Sequence, residues 1–324
     1  MKAARQQAKR PAARGGKRPP ARPAARRARA PHRGAAAFLL LLILLSAILL
    51  VGVVNARTVR VRYGEAKLKN LDYRLDGVKI LYLSDLKMSS VTDAKNAVKL
   101  VKRLNELGPD LILLGGDLTG DGYLSGIKKL LGLADDEGLE NEKRAALDNF
   151  LLGLDEIDVK YGVYAVAGDG DPALTAAESR RANFRFLNDE AALININGGI
   201  LPVYGARTPQ IDLSSTGIGA MLFLFHDPAI YKTAALKASE RNSEADSYLF
   251  LSGHALGGQV KIGSFCLRYP EYNRDFGAKA NEYGLYADGS GIRMLLSEGI
   301  GTEGLPIRLG TRPSAYLITL RRKV

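Results

Sequence analysis

Five short apolar runs punctuate the chain after residue 60, and each is followed within three residues by a side chain that can bind a metal or move a proton. They are Val78–Leu83, Leu111–Leu114, Val163–Ala167, Met221–Phe225 and Tyr248–Leu251. Runs of this length, rich in β-branched, leucine and aromatic residues, predict buried strands. Between the first two, Ala94, Ala97, Val98, Val101 and Leu104 recur at helical spacing, and Gly108-Pro109 closes the segment. A parallel β-α-β unit follows from that order. Leu147, Phe150, Leu151 and Leu154 mark a further helix face before the third strand, whereas Asp135 to Arg144 reads as a solvated surface helix.

The residues just past these runs carry the chemistry. The first run leads into Ser84-Asp85, the second through Gly115-Gly116 to Asp117, and the third through Gly168 to Asp169, with Asp171 beyond. The fourth abuts His226, and the fifth passes through Ser252-Gly253 to His254. Open α/β sheets gather ligands at the carboxyl ends of their strands. Carboxylates with imidazoles suit a divalent transition metal such as Mn, Fe or Zn. One such Asp alone would be an ordinary helix cap or turn residue, and one His a structural one. Five in order, using both histidines beyond the N-terminal tail, make the shared-site reading the stronger. Asp85 is the member for which the cap reading weighs most.

The front of the chain is of another kind. The formal net charge is +12, and residues 1–33 hold twelve Lys/Arg with no acid; removing them leaves 34 basic residues against 34 acidic. The remainder is balanced, which gives no ground for expecting a nucleic-acid groove. Residues 1–34 are expected to be a disordered basic tail. Ala35 to Val54 is uncharged, and about 20 apolar residues suffice to span a bilayer as a helix. We therefore expect an uncleaved signal anchor over 35–56, with the amino terminus cytoplasmic and the domain 57–324 outside. The competing reading is a cleaved signal peptide, with small residues at Val54-Asn55-Ala56 and secretion after Ala56. The tail could also attract anionic lipid headgroups, although a topology signal that binds nothing specific is the plainer reading. The one cysteine, Cys266, excludes an internal disulfide and a multi-thiolate metal site; it falls in an expected strand and has no assigned role. Tyrosines between Tyr269 and Tyr286 could line a groove, or simply pack a surface loop.

The ordered blocks Asp85-Leu86-Lys87, Gly116-Asp117, Gly168-Asp169-Gly170-Asp171, His226-Asp227-Pro228 and Gly253-His254-Ala255-Leu256 resemble those of the calcineurin-like metallophosphoesterases. The resemblance is nearest to the membrane-associated bacterial phosphodiesterase branch, and runs from about residue 78 to the end. It implies a four-layer α-β-β-α sandwich of two mixed sheets and a phosphoester substrate or ligand. It also implies a metal held by Asp117, Asp169, His226 and His254. Its second metal would need imidazoles where this chain has Lys87 and Leu256, leaving Asp85 as a weak ligand, and the family's protonating His is here Gly170. One metal per chain is expected. The Lys87 ammonium would stand in the vacated place beside Asp85 and Asp117; the rival reading makes Lys87 a solvated loop residue. Residual hydrolysis of phosphoric esters is one functional reading. A pseudo-phosphoesterase that binds a phosphorylated envelope ligand is the other, and a purely structural membrane protein is a third.

Overall fold

The computed structural model describes residues 33–123, 125–174, 179–181, 183–217, 219–241, 247–263, 265–266, 284–287 and 292–323. The basic tail up to residue 32 and the tyrosines of 269–283 lie outside the described residues. The chain divides into two compact units, Met1–Leu45 and Ser46–Val324. Helix α1 (Arg33–Ala56) is the one helix among the described residues long and apolar enough to cross a membrane, over Gly34–Ala56. Its side chains from Phe38 to Leu50 are largely exposed.

The second unit is built on two six-stranded mixed sheets. The first has the order β1 (Arg60–Lys69), β14 (Ser314–Lys323), β2 (Lys79–Leu83), β3 (Leu111–Gly115), β4 (Val163–Val166) and β5 (Phe184–Phe186). Strands β2 to β5 are parallel, β14 runs against β2, and β1 lies parallel to β14. The second sheet has the order β12 (Gly284–Ala287), β13 (Ile292–Leu296), β9 (Ser247–Ser252), β8 (Ala220–Phe225), β7 (Gly199–Ala206) and β6 (Glu190–Ile196). Its four middle strands are parallel and its two outer ones antiparallel. A small hairpin joins β10 (Lys261–Ile262) to β11 (Phe265–Cys266), where Cys266 is buried.

Three apolar layers hold these parts together, as expected when each helix stripe and sheet face must be covered. Helices α2 (Val91–Asn105) and α4 (Asp136–Leu154) cover the outer face of the first sheet with Val98, Val101, Leu147 and Phe150 against Leu81, Ile112 and Leu114. Ile80, Leu113, Val203, Leu222 and Leu249 fill the space between the sheets. Helix α5 (Tyr231–Glu240) covers the second sheet, beneath which the Phe223 and Phe250 rings stack at 4.9 Å. This is the four-layer sandwich that the family resemblance implies. The charged stretch Asp135–Arg144 differs from its expectation. It is the first half of α4, and Leu139 and Lys143 in it are buried, because the helix runs on without a break into the Leu147–Leu154 face.

Helix starts follow local chemistry. The Ser90 hydroxyl accepts from the Asp93 amide at 3.2 Å at the start of α2, and Lys102 and Arg103 occupy its last turn. Asp135 caps α4 in the same way, accepting from Gly138 N at 2.8 Å. Between β3 and α4 lies a short helix, α3 (Ser125–Leu130), that buries none of its residues.

Candidate metal centre

Strands β2, β3, β4, β8 and β9 deliver their carboxyl ends to one rim, and the site is assembled there. Asp117 follows β3 and is 2% exposed. One of its carboxylate oxygens, Oδ1, accepts from Gly170 N at 2.8 Å. The other, Oδ2, lies 3.2 Å from His226 Nε2 and forms an ion pair with the Lys87 ammonium. His226, at the end of β8, is buried; its Nδ1 sits 2.9 Å from the Gly115 carbonyl, which fixes the ring and turns Nε2 toward Asp117. His254 Nδ1 lies 3.1 Å from His226 Nε2.

Asp117, His226 and His254 can each offer one ligand atom, all within 4.8 Å of one another. Metal–nitrogen bonds of about 2.0–2.1 Å in a tetrahedron put ligand atoms about 3.3 Å apart. The spacings of 3.2 and 3.1 Å therefore fit two edges of such a site. The donor set, one carboxylate and two imidazoles, fits a divalent transition metal.

The other expected site residues are placed unevenly. Asp169 lies at the outer corner of the loop after β4, its side chain 79% exposed, with one oxygen 3.8 Å from His254 Nδ1. It stands outside the group of three because neighbouring groups fix the loop. The Asp171 carboxylate accepts from Gly168 N at 2.8 Å and Thr119 N at 2.7 Å. Gly170 N is turned to Asp117. Burial pushes the Asp171 carboxyl up, although those amides act to lower it. Asp85 is fully buried and receives the His254 amide at 3.1 Å on both oxygens, so it orients the His254 loop.

Lys87 points inward, its side chain 8% exposed, which excludes the solvated-loop reading. Beside Asp117 its second direct partner is Glu303, at 3.1 Å, where Asp85 was expected. Asp85 is committed to the His254 backbone and acts on Lys87 through its charge alone. Burial acts to lower the Lys87 pKa, but Asp117, Asp85 and Glu303 outweigh it and hold it above the ordinary lysine value. Burial likewise acts to lower the His226 pKa. The Asp117 bond and the Asp85 and Asp117 charges overcome it and push it up to about 9. Asp117 itself is held far below the usual carboxylate range by His226 and Lys87, against the effect of its burial.

Sequence reasoning missed Glu303 and the framework behind it. The Gln259 side chain donates to the carbonyls of Glu303 at 2.8 Å and Leu305 at 3.2 Å, and accepts from Glu303 N at 3.0 Å. Arg308 is fully buried and donates to the carbonyls of Leu256 at 2.9 Å, Glu298 at 2.7 Å and Gly301 at 2.5 Å. The Gly-Gly-Gln run beside His254 was the one visible signal.

Backbone strain concentrates at the same rim. Asp85, Lys87, Asp117, His254, Leu256 and Gln259 all have positive φ, between 51° and 74°. For Lys, Leu and Gln such a conformation persists only where the surroundings enforce it. Gly168 is required by close approach: a Cβ there would stand 2.3 Å from Asp117 N. At Gly170 a Cβ would stand 2.8 Å from the Thr119 carbonyl, so this backbone is packed for glycine.

No protein-family model matches the chain. An uncharacterized metallophosphoesterase of Aquifex aeolicus is 26% identical over 262 residues, covering 76% of this chain and 86% of the relative. A transmembrane protein with metallophosphoesterase domain from Danio rerio is 25% identical over 292 residues, covering 87% of this chain and 62% of its own length. An uncharacterized metallophosphoesterase of Helicobacter pylori is 24% identical over 258 residues. The likeness to these metallophosphoesterases, at 24–26% identity, together with two facing mixed sheets and Asp and His residues gathered at their shared rim, supports kinship with the calcineurin-like metallophosphoesterase superfamily.

Proposed function

We propose that this chain is a membrane-anchored, metal-dependent phosphoric ester hydrolase that uses one divalent cation. In this reading Asp117, His226 and His254 hold that cation, and Asp169 is the further carboxylate next to them. The Lys87 ammonium provides the second positive charge. The observation that carries the reading is the buried Lys87 ammonium on Asp117, the carboxylate that also bonds His226. When bound, the cation would polarise a phosphoryl oxygen and lower the pKa of a water. Lys87 keeps the charge of Asp117 and Glu303 balanced and offers a fixed positive point to a phosphate. Asp85 holds His254 through its amide. Gly170 and Leu256 bring no acid to the leaving group, so esters with good leaving groups, such as nucleotide or pyrophosphate-like ones, are the favoured substrates. Helix α1 serves as the anchor, with the basic tail cytoplasmic and the domain outside.

The same Gly170 and Leu256 favour a second reading, a pseudo-phosphoesterase that binds a phosphorylated envelope component without turning it over. One pair of measurements separates them. Manganese-saturated protein should retain roughly one metal per chain on elemental analysis and hydrolyse bis(p-nitrophenyl) phosphate, and His254→Ala should lose both. Metal-dependent phosphoester binding without turnover would establish the second reading. Two tightly held metals would sink the single-cation site.

A further inference from the structure

The segment just past Asp117 is unusually apolar for a surface. Ile127, Leu130, Leu131 and Leu133 are 51%, 84%, 64% and 74% exposed, in and after the short helix α3. A Cβ placed at Gly126 or Gly132 would meet nothing within 4 Å, so the segment projects into open space. Four large apolar side chains exposed within seven residues make a docking surface by composition and shape.

What covers it follows from its connections. Tyr123, at the base of the segment, bonds through its hydroxyl to Thr302 at 3.2 Å. Thr302 precedes Glu303, and Arg308 in the same loop folds back onto Gly301. The Arg308 amide donates to the Gly52 carbonyl of α1 at 2.9 Å. A Cβ on Gly52 would stand 3.2 Å from that of Ile307, so helix and loop touch closely there. Gly52 is one turn before α1 ends at Ala56, about 6 Å along the axis. The loop that carries Glu303 thus packs against the last turns of α1. Leu305 on that loop and Ile262 on the adjoining hairpin are also exposed, at 48% and 66%. Lys261 N bonds Leu309 O at 2.7 Å, which ties the hairpin to the loop.

We propose that the 127–133 segment is a hook that inserts into the lipid bilayer, in the leaflet from which α1 emerges, and holds the rim of the Asp117 site against the headgroup layer. The proposal rests on the anchor reading of α1 and is independent of whether the site turns substrate over. Lys128 reaches the headgroup level while the leucines enter the acyl layer, as interfacial segments do. Lys129 forms an ion pair with Asp136, so the charge at the base of the hook is balanced.

The test uses the full chain in nanodiscs of phosphatidylethanolamine and phosphatidylglycerol. On a Cys266→Ser background, an environment-sensitive fluorophore is attached at Leu131→Cys, and in a separate variant at Leu193→Cys. Leu193 is an exposed leucine on β6. Both positions are exposed, so the fold should tolerate both labels. Lipids carrying a nitroxide on the acyl chain should quench the residue-131 label about two-fold or more and leave the residue-193 label unchanged. Equal, weak quenching of the two labels would overturn the hook. So would protection of the residue-131 label by dimerisation, read as a doubled mass without quenching. Because the readout is fluorescence, a loss of phosphoesterase activity would bear only on the hydrolase reading.

Discussion

At the residue scale, Lys87 has the most to explain. A lysine at φ +52° within a buried cluster is costly on two counts, backbone and desolvation. The Asp117 and Glu303 carboxylates offset the second. Removing the ammonium leaves those carboxylates unbalanced, and breaking a buried pair from one side costs about 3–5 kcal/mol. Lys87→Ala should therefore lower the stability of the metal-free protein by that order in urea denaturation. It should not create a second metal site, because Leu256 still offers no ligand, and elemental analysis should again give roughly one metal per chain. Unchanged stability would mean that water replaces Lys87 without penalty.

At the element scale, the rim depends on loops more than on strands. The strands bring Asp117, His226 and His254 to one edge. The loop 298–309 then closes over Lys87 and is held by the Arg308 guanidinium, which donates to three backbone carbonyls. Replacing Arg308 with Met keeps much of the apolar stem but strands buried acceptors, each worth about 1–3 kcal/mol. Arg308→Met should destabilise the domain by more than about 3 kcal/mol and weaken metal binding as the Leu256–Gly258 turn loosens. Urea denaturation and a metal titration check the two effects separately. A loss of stability with metal affinity intact would show that the loop supports the fold but not the ligands.

At the scale of the whole molecule, the charged centre ties stability to pH. In the metal-free protein the folded pKa of His226, about 9, lies above its ordinary 6.5. Its contribution is fully present below pH 6.5 and is lost as pH rises through 9, on the order of 3 kcal/mol in all. Asp117 is shifted the other way, so its contribution is present above its ordinary 3.8 and is lost as pH falls below that. Thermal melts of the metal-free protein should therefore show a decline as pH rises from 6.5 to 9. Metal should remove that decline, since a bound cation displaces the His226 proton. A flat profile without metal would mean that His226 folds as the neutral imidazole.

The sequence by itself determined the strands that matter and what stands at their ends. Strand cores such as Ile112–Leu114 and Leu222–Phe225 have no alternative to burial, and Asp117, His226 and His254 could be read off as the next residues able to bind a metal. It also determined the α2 face from Ala94 to Leu104, because helical spacing of apolar residues is a local property. The tertiary structure alone decided which of those ends converge. Asp169 turned outward because Asp171 and Gly170 bind backbone and carboxylate across 50 residues of chain, a constraint that no local pattern carries. Glu303 reached Lys87, and Arg308 reached Gly52, through contacts between segments far apart in sequence. Burial, and with it the pKa of His226, exists only once those segments have met.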